Sequence, residues 1–255
     1  MKTSNYFFLG FLIIAGVWLW FYPDCPPQTC LHKNVLRVGT NAEYPPFEFK
    51  ENGKIVGIDI DMVKAVAEKL GKAVQLVDMN FDMLMPCLQF GALDVVAAGL
   101  TPTPERSQQA LFTAPYLSGD PFLIVTLKDK PPIGNIYQLA NKKVIVNQGF
   151  TTELYIKSIR GPIVQSLPTV TEAFIALEQG KAYAFITTGA IAGPFFKKYG
   201  SKPFKVTPIP GIRENYSLAI SKKNPCLYKE IQQALVDLKK DGTLTKIMKK
   251  WEVIS

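Results

Sequence analysis

LDVVAAG (residues 93–99) is a short apolar run that ends on glycine. A run of that length bounded by turn residues is the pattern of a strand buried on both faces. It closes an alternating series. LRVGT (36–40) reads as a strand, and Asn52-Gly53 marks a hairpin turn that returns through IVGI (55–58). Met62, Val63, Val66, Ala67 and Leu70 then recur at helical spacing, and Gly71 ends that helix. VQLVDM (74–79) is a strand, and Phe81 to Phe90 is a short helix stopped by Gly91. Strand–helix–strand–helix–strand over 35–100 predicts a parallel sheet with helices on both faces.

The pattern then resets. FLIVTLK (122–128) is a strand and Pro131-Pro132 a breaker. KVIVN (143–147) is a strand followed at once by a helix from about Thr151. The helical VTEAFIALEQ (170–179) leads through Gly180 into the strand YAFIT (183–187), and YSLAIS (216–221) is one more strand. Two helices, roughly 225–240 and 243–251, are split by Asp241-Gly242. The reading is two α/β units of similar size, with a tail too short to be a domain that returns to the first.

The chain has 255 residues, 47% of them hydrophobic and 20% charged, which is enough apolar material for a core. Its balance of 29 cationic and 21 anionic residues gives +8, but the lysines are scattered, with no cationic run and no interleaved aromatic ladder. Nucleic-acid binding is therefore not expected. Tyr6 to Tyr22 (YFFLGFLIIAGVWLWFY) carries no charge and follows Lys2, as a secretion signal or a short membrane anchor would. Pro23, Asp24 and Cys25 follow in place of the small residues of a cleavage site. Neither Cys25 nor Cys30 sits in the usual lipid-attachment motif. The chain is expected outside the cytoplasm, periplasmic or at the cell surface, with residues 1–34 as signal or anchor plus linker. There Cys25 and Cys30 could close a small disulfide loop, while Cys87, in an apolar helix, is expected as a buried free thiol.

The one histidine, His32, lies in the linker. This removes the usual Ser-His-Asp and Cys-His catalysis and any His-rich metal site. No phosphate-loop or dinucleotide glycine motif is present, so no cofactor and no metal are expected. Asp59 and Asp61 stand at a helix start, where carboxylates cap free amides and favour the dipole. Polar groups instead gather after strands, where ligands bind in open α/β sheets. Asn41 to Phe47 follows the first strand and Ala98 to Arg106 the third. In the second unit Gln148 to Thr152 and Thr188-Gly189 follow theirs. That predicts a cleft between two lobes with polar groups from both sides.

NAEYPPFEF, VGIDIDM, FDMLMPCL, AAGLTPTPER, NQGFTTE and DGTLTKIMKKW occur in that order. Together they resemble the polar-amino-acid-binding proteins of ABC importers over roughly 35–252. The resemblance implies the two-lobed type II periplasmic binding fold, with the chain crossing near 118–122 and 210–217. Lobe 1 would be 35–119 plus 217–255, and lobe 2 120–216. It implies a monomer that binds an amino acid or analogue and passes it to a membrane permease. Arg106 would clamp the ligand α-carboxylate through two parallel charge-assisted bonds. Gly99 and Thr101 would bond the same end, and the Thr151 amide would approach from the other lobe. Tyr44 and Phe81 would sandwich the side chain, with Asn41 and Asn147 at its polar end. The family's acid for the ligand α-ammonium falls at Thr187, which is neutral here. Either another acid reaches that point, Glu43 and Glu153 being nearest in sequence to the predicted cleft loops, or the ligand is anionic or neutral at that end. A dehydratase like cyclohexadienyl dehydratase shares this frame but needs a proton donor, and the strand end offers only threonines. A membrane-attached sensor domain is the remaining alternative, and no signalling segment follows the last helix before Ser255.

Overall fold

The computed structural model describes residues 34–253. The readings of the N-terminal apolar run, of Cys25 and Cys30 and of His32 fall outside those residues. In the first sheet β1 (Val35–Thr40) runs parallel to β5 (Ala73–Asp78) and β6 (Val95–Val96). Antiparallel β13 (Ala219–Ser221) and β7 (Ala110–Phe112) complete the order β5-β1-β6-β13-β7. The hairpin turn at Asn52-Gly53 has both residues at positive φ, as its tight reversal requires. It joins β3 (Glu48–Glu51) to β4 (Lys54–Val56), and β2 (Glu43–Tyr44) pairs on the other side of β3. Helix α1 (Ile58–Lys69) buries Met62, Val63, Val66 and Ala67, the predicted stripe, in one cluster with Val38 and Val95. Helices α7 (Pro225–Lys240) and α8 (Thr243–Lys250) bury Ile231, Leu235 and Ile247 in that same cluster. Helix α2 (Phe81–Phe90) covers the opposite face with Leu84 and Leu88.

The second sheet contains β8 (Leu117–Leu127), β9 (Lys143–Asn147), β10 (Ile163–Leu167), β11 (Ala184–Thr188) and β12 (Phe204–Tyr216), in the order β10-β9-β11-β8-β12. Helices α4 (Thr151–Lys157), α5 (Val170–Glu178) and α6 (Gly189–Tyr199) flank it. The sequence reading did not name β10, α6 or the short α3 (Pro104–Gln109). Glycine at its start and Pro194 inside hide α6.

β8 and β12 pair antiparallel from Leu127–Phe204 to Leu117–Tyr216. Beyond them Tyr116 N donates to Tyr216 O (2.9 Å) and Thr113 N to Leu218 O (3.0 Å), carrying the ladder into β7 and β13. One two-stranded ribbon therefore joins the sheets, and segments 118–122 and 210–217 lie in it. Ser118 faces Asn215 and Asp120 faces Glu214, so β8 holds one extra residue, Gly119 at φ 80°. This is a bulge with glycine in the left-handed region.

Two local readings are corrected. The N-cap of α1 is Gly57, and neither Asp59 nor Asp61 caps it. Fully buried Asp59 accepts from Tyr116 Oη (2.6 Å) and Gly99 N (2.8 Å), while Asp61 takes Lys250 Nζ (2.6 Å) and Trp251 Nε1 (2.8 Å). Both face tertiary partners that α1's packing brings within reach, and a sequence window cannot display them. Cys87 is buried as expected but disulfide-bonded rather than free. Apolar spacing reports burial and not what the sulfur bonds. Among the described residues no helix is long and apolar enough to cross a membrane.

Candidate functional site

The ends of β1, β6, β9 and β11 converge on one enclosed space between the two sheets. Tyr44, Phe81, Gly99, Thr101, Arg106, Thr151 and Thr187, expected from the sequence, all line it. Arg106 is placed by α3, whose N-cap Thr103 accepts from the Arg106 amide and whose first residue is Pro104. Its guanidinium donates to Thr101 O (3.0 Å) on its own loop and to Gly149 O (3.0 Å) across the cleft. It also stands 5.5 Å from the centre of the Phe81 ring. Burial draws its pKa below the ordinary arginine value, and the charge of Glu214 opposes that.

The aromatic wall has a member the sequence reading missed. Phe150 meets Tyr44 edge to face at 4.5 Å and lies 5.7 Å from Phe81. Gly99, at φ 53°, passes so close beneath Tyr44 that a Cβ would lie 2.6 Å from the ring. Its amide is held by Asp59. The Gly99 N–H expected on the ligand is thus committed within its own lobe.

Asn41 and Asn147 do not join this space. Asn41 Nδ2 donates to Met79 O (3.1 Å) and lies in a neighbouring depression beyond Phe81 and Gly149, with Glu43 and Asp82. Buried Asn147 donates to Leu167 O (3.3 Å). Each amide ties its strand end to a carbonyl of the adjacent segment, which is the ordinary role of asparagine beside a turn.

Neither acid nearest in sequence reaches Thr187. Glu43 is exposed, and Glu153 takes Gly149 N (2.7 Å), Lys157 Nζ (2.7 Å) and the Ser166 hydroxyl. The acid that lines the cavity is Glu214, from the ribbon strand β12. It is 4% exposed, and its Oε1 has no hydrogen-bond partner. Burial raises its pKa to about 7 with help from Asp120, while the nearby Tyr216 and Thr101 hydroxyls and the Arg106 charge pull it down. The strand end does present Thr187 and Thr188, and the carboxyl enters the cavity from β12 instead. The sequence signal was weak, a glutamate two residues before a tyrosine in a segment read only as a crossing.

Beside it, Tyr216 Oη donates to Asp120 Oδ2 (2.7 Å) and stands 3.1 Å from Thr188 Oγ1. Asp120 also accepts from Ala190 N (2.9 Å) at the start of α6. Asp120 is therefore held by two donors, whereas Glu214 keeps one oxygen, Oε1, without a partner. Nine buried side-chain polar atoms lack a partner among the described residues, and four of them line this one cavity: Thr101 Oγ1, Thr152 Oγ1, Thr187 Oγ1 and Glu214 Oε1. Native proteins leave few such atoms, and each calls for an explanation. No group of three or more metal-ligating side chains occurs among the described residues.

Residues 36–253 match the sequence profile of the bacterial extracellular solute-binding proteins, family 3. The arginine-binding extracellular protein ArtP of Bacillus subtilis is 31% identical over 222 residues, covering 86% of each chain. A probable histidine-binding protein of Campylobacter jejuni is 31% identical over 219 residues, covering 86% of this chain and 85% of its own. Among solved structures, an ancestral arginine-binding protein bound to glutamine superposes with a TM-score of 0.78 at 41% identity, covering 86% of this chain and 97% of that one. An ancestral amino acid-binding protein described as a precursor of cyclohexadienyl dehydratase gives 0.77 at 34% identity, covering 86% and 96%.

Proposed function

The chain belongs to the bacterial extracellular solute-binding proteins of family 3, and from that premise we propose that it holds one α-amino acid between its lobes and passes it, as an exported monomer, to the membrane permease of an ABC importer. The lobes are divided at the ribbon, 35–119 with 217–255 against 120–216. The observation that carries the reading is the set of four partnerless polar atoms around the Arg106 guanidinium. A carboxylate takes two parallel bonds from a guanidinium, so Arg106 orients the acid end. Thr101 and Thr152 lie to either side of it, one from each lobe, with hydroxyls able to donate. Tyr44, Phe81 and Phe150 enclose the aliphatic part. Relatives named for arginine and histidine support a polar or cationic side chain.

Calorimetric titration of the refolded, dialysed protein with the twenty standard L-amino acids tests this. At least one should bind at one to one, and Arg106→Ala should weaken that binding by about 2–5 kcal/mol. Binding of none refutes the reading. Glu214 favours a second reading, a dehydratase in which this carboxyl donates a proton. The two part on the fate of the solute: a binding protein releases it with its mass unchanged, and a dehydratase releases it lighter by one water.

A further inference from the structure

We infer that Glu214 is the counter-charge for the ligand's α-ammonium, doing from the ribbon what the family's acid does at the strand end that here reads Thr187-Thr188. The inference rests on the amino-acid reading above and names the partner of the ligand's second charge.

An ammonium removed from water needs an anionic or strongly accepting neighbour. Thr187 supplies one hydroxyl, and the Thr188 hydroxyl is engaged with Tyr216. Asp120 stands close by, but Tyr216 Oη and Ala190 N already occupy it. Among the described residues, Glu214 alone combines a carboxylate, burial, an oxygen without a partner and a place on the cavity wall. The Gly119 bulge lies between the pairs Asp120–Glu214 and Ser118–Asn215, and bulges re-aim neighbouring side chains. Arg106 donates to carbonyls rather than to Glu214. The cavity thus carries a fixed cation and a fixed carboxylate, the inverse of a zwitterion's two charges.

The titratable and charged groups around Glu214 are Asp120 from β8, Tyr216 from its own strand, Arg106 from α3 and Tyr44 from β2. Pairing with an ammonium favours the ionised carboxylate, so a proton leaves Glu214 when the ligand binds near pH 6.5. A merely structural glutamate would show no such release.

The test compares wild type with Glu214→Gln by calorimetry at pH 6.5 in two buffers of different ionisation enthalpy. The probes are the twenty L-amino acids, plus the acids corresponding to L-arginine and L-glutamine with hydrogen in place of the α-amine. Glu214→Gln should weaken the amino acid that wild type binds by at least about 10-fold and abolish the proton release. It should leave the deaminated acids within about 2-fold, and the thermal midpoint should not fall. Unchanged amino-acid affinity, or an equal loss for the deaminated acids, overturns the role of Glu214 while leaving the amino-acid reading intact. Failure of wild type to bind any of the twenty overturns both.

Discussion

Raising the pH from 5 to 7.5 should destabilise the ligand-free protein, against the usual expectation for a protein rich in carboxylates. The sign follows from burial. Asp59 is fully buried with its pKa raised from 3.8 to about 6, and Glu214 is raised from 4.5 to about 7. Between the unfolded and folded values the folded state binds more protons, so stability falls as pH rises. Each pKa unit corresponds to about 1.4 kcal/mol. Within this window Glu214 then contributes a loss of about 2 kcal/mol and Asp59 about 1 kcal/mol. Burial raises Glu48 and Asp120 in the same direction. The carboxylates held low, Asp241, Glu153 and Glu105, titrate below pH 5 and stay constant across the window. A loss of about 3 kcal/mol lowers the melting midpoint of a protein this size by roughly 6–12 °C. Urea unfolding and thermal melts at pH 5, 6 and 7.5, on wild type and Glu214→Gln, measure it. The variant should lose the Glu214 share of the slope and keep the rest. Stability that is flat or rising across this range, or an equal slope in the variant, would refute the reasoning.

Arg106→Ala should weaken amino-acid binding by about 2–5 kcal/mol and leave the melt cooperative; unchanged calorimetric affinity counts against the clamp. Gly99→Ala places a Cβ 2.6 Å from the Tyr44 ring at φ 53°, so it should cost about 1–3 kcal/mol of stability and displace the aromatic wall. Retained stability and affinity would show that the loop yields freely. Thr187→Asp should recover at least part of the binding lost in Glu214→Gln, because both side chains line one cavity. A double variant no better than Glu214→Gln would place the ammonium elsewhere.

The parallel core of the first lobe was legible because buried strands and amphipathic helices leave a period. Val38, Val95, Met62 and Val66 meet in the expected cluster. The place of Arg106 on the cavity wall was legible because one loop, 98–106, presents it next to its strand. Glu214 was not, since its significance lies in a neighbour 94 positions away, Asp120, and in a bulge that no local pattern announces. Phe150 was missed for a similar reason. It reads as the residue before a helix, and only the closed arrangement of the sheets sets it against Tyr44 and Phe81. Asn41 and Asn147 err the other way. Their polarity drew them into the site, but each amide is satisfied by a carbonyl nearby.

The ribbon of β8 and β12 also settles how far each charge can travel. If one sheet turns relative to the other, the twist has to be taken up in that ribbon, whose pairing runs on into both sheets. A group on the torsion axis has almost no lever arm, whereas Arg106 and Gly149 stand off the axis on opposite jaws. Such a turn would separate that pair more than it displaced Glu214 within the ribbon. On the proposed role of Glu214, the carboxylate would then be a nearly stationary charge, able to attract an amine before closure. Loss of Glu214 should accordingly slow capture as well as hasten escape, while loss of Arg106 acts mainly on escape.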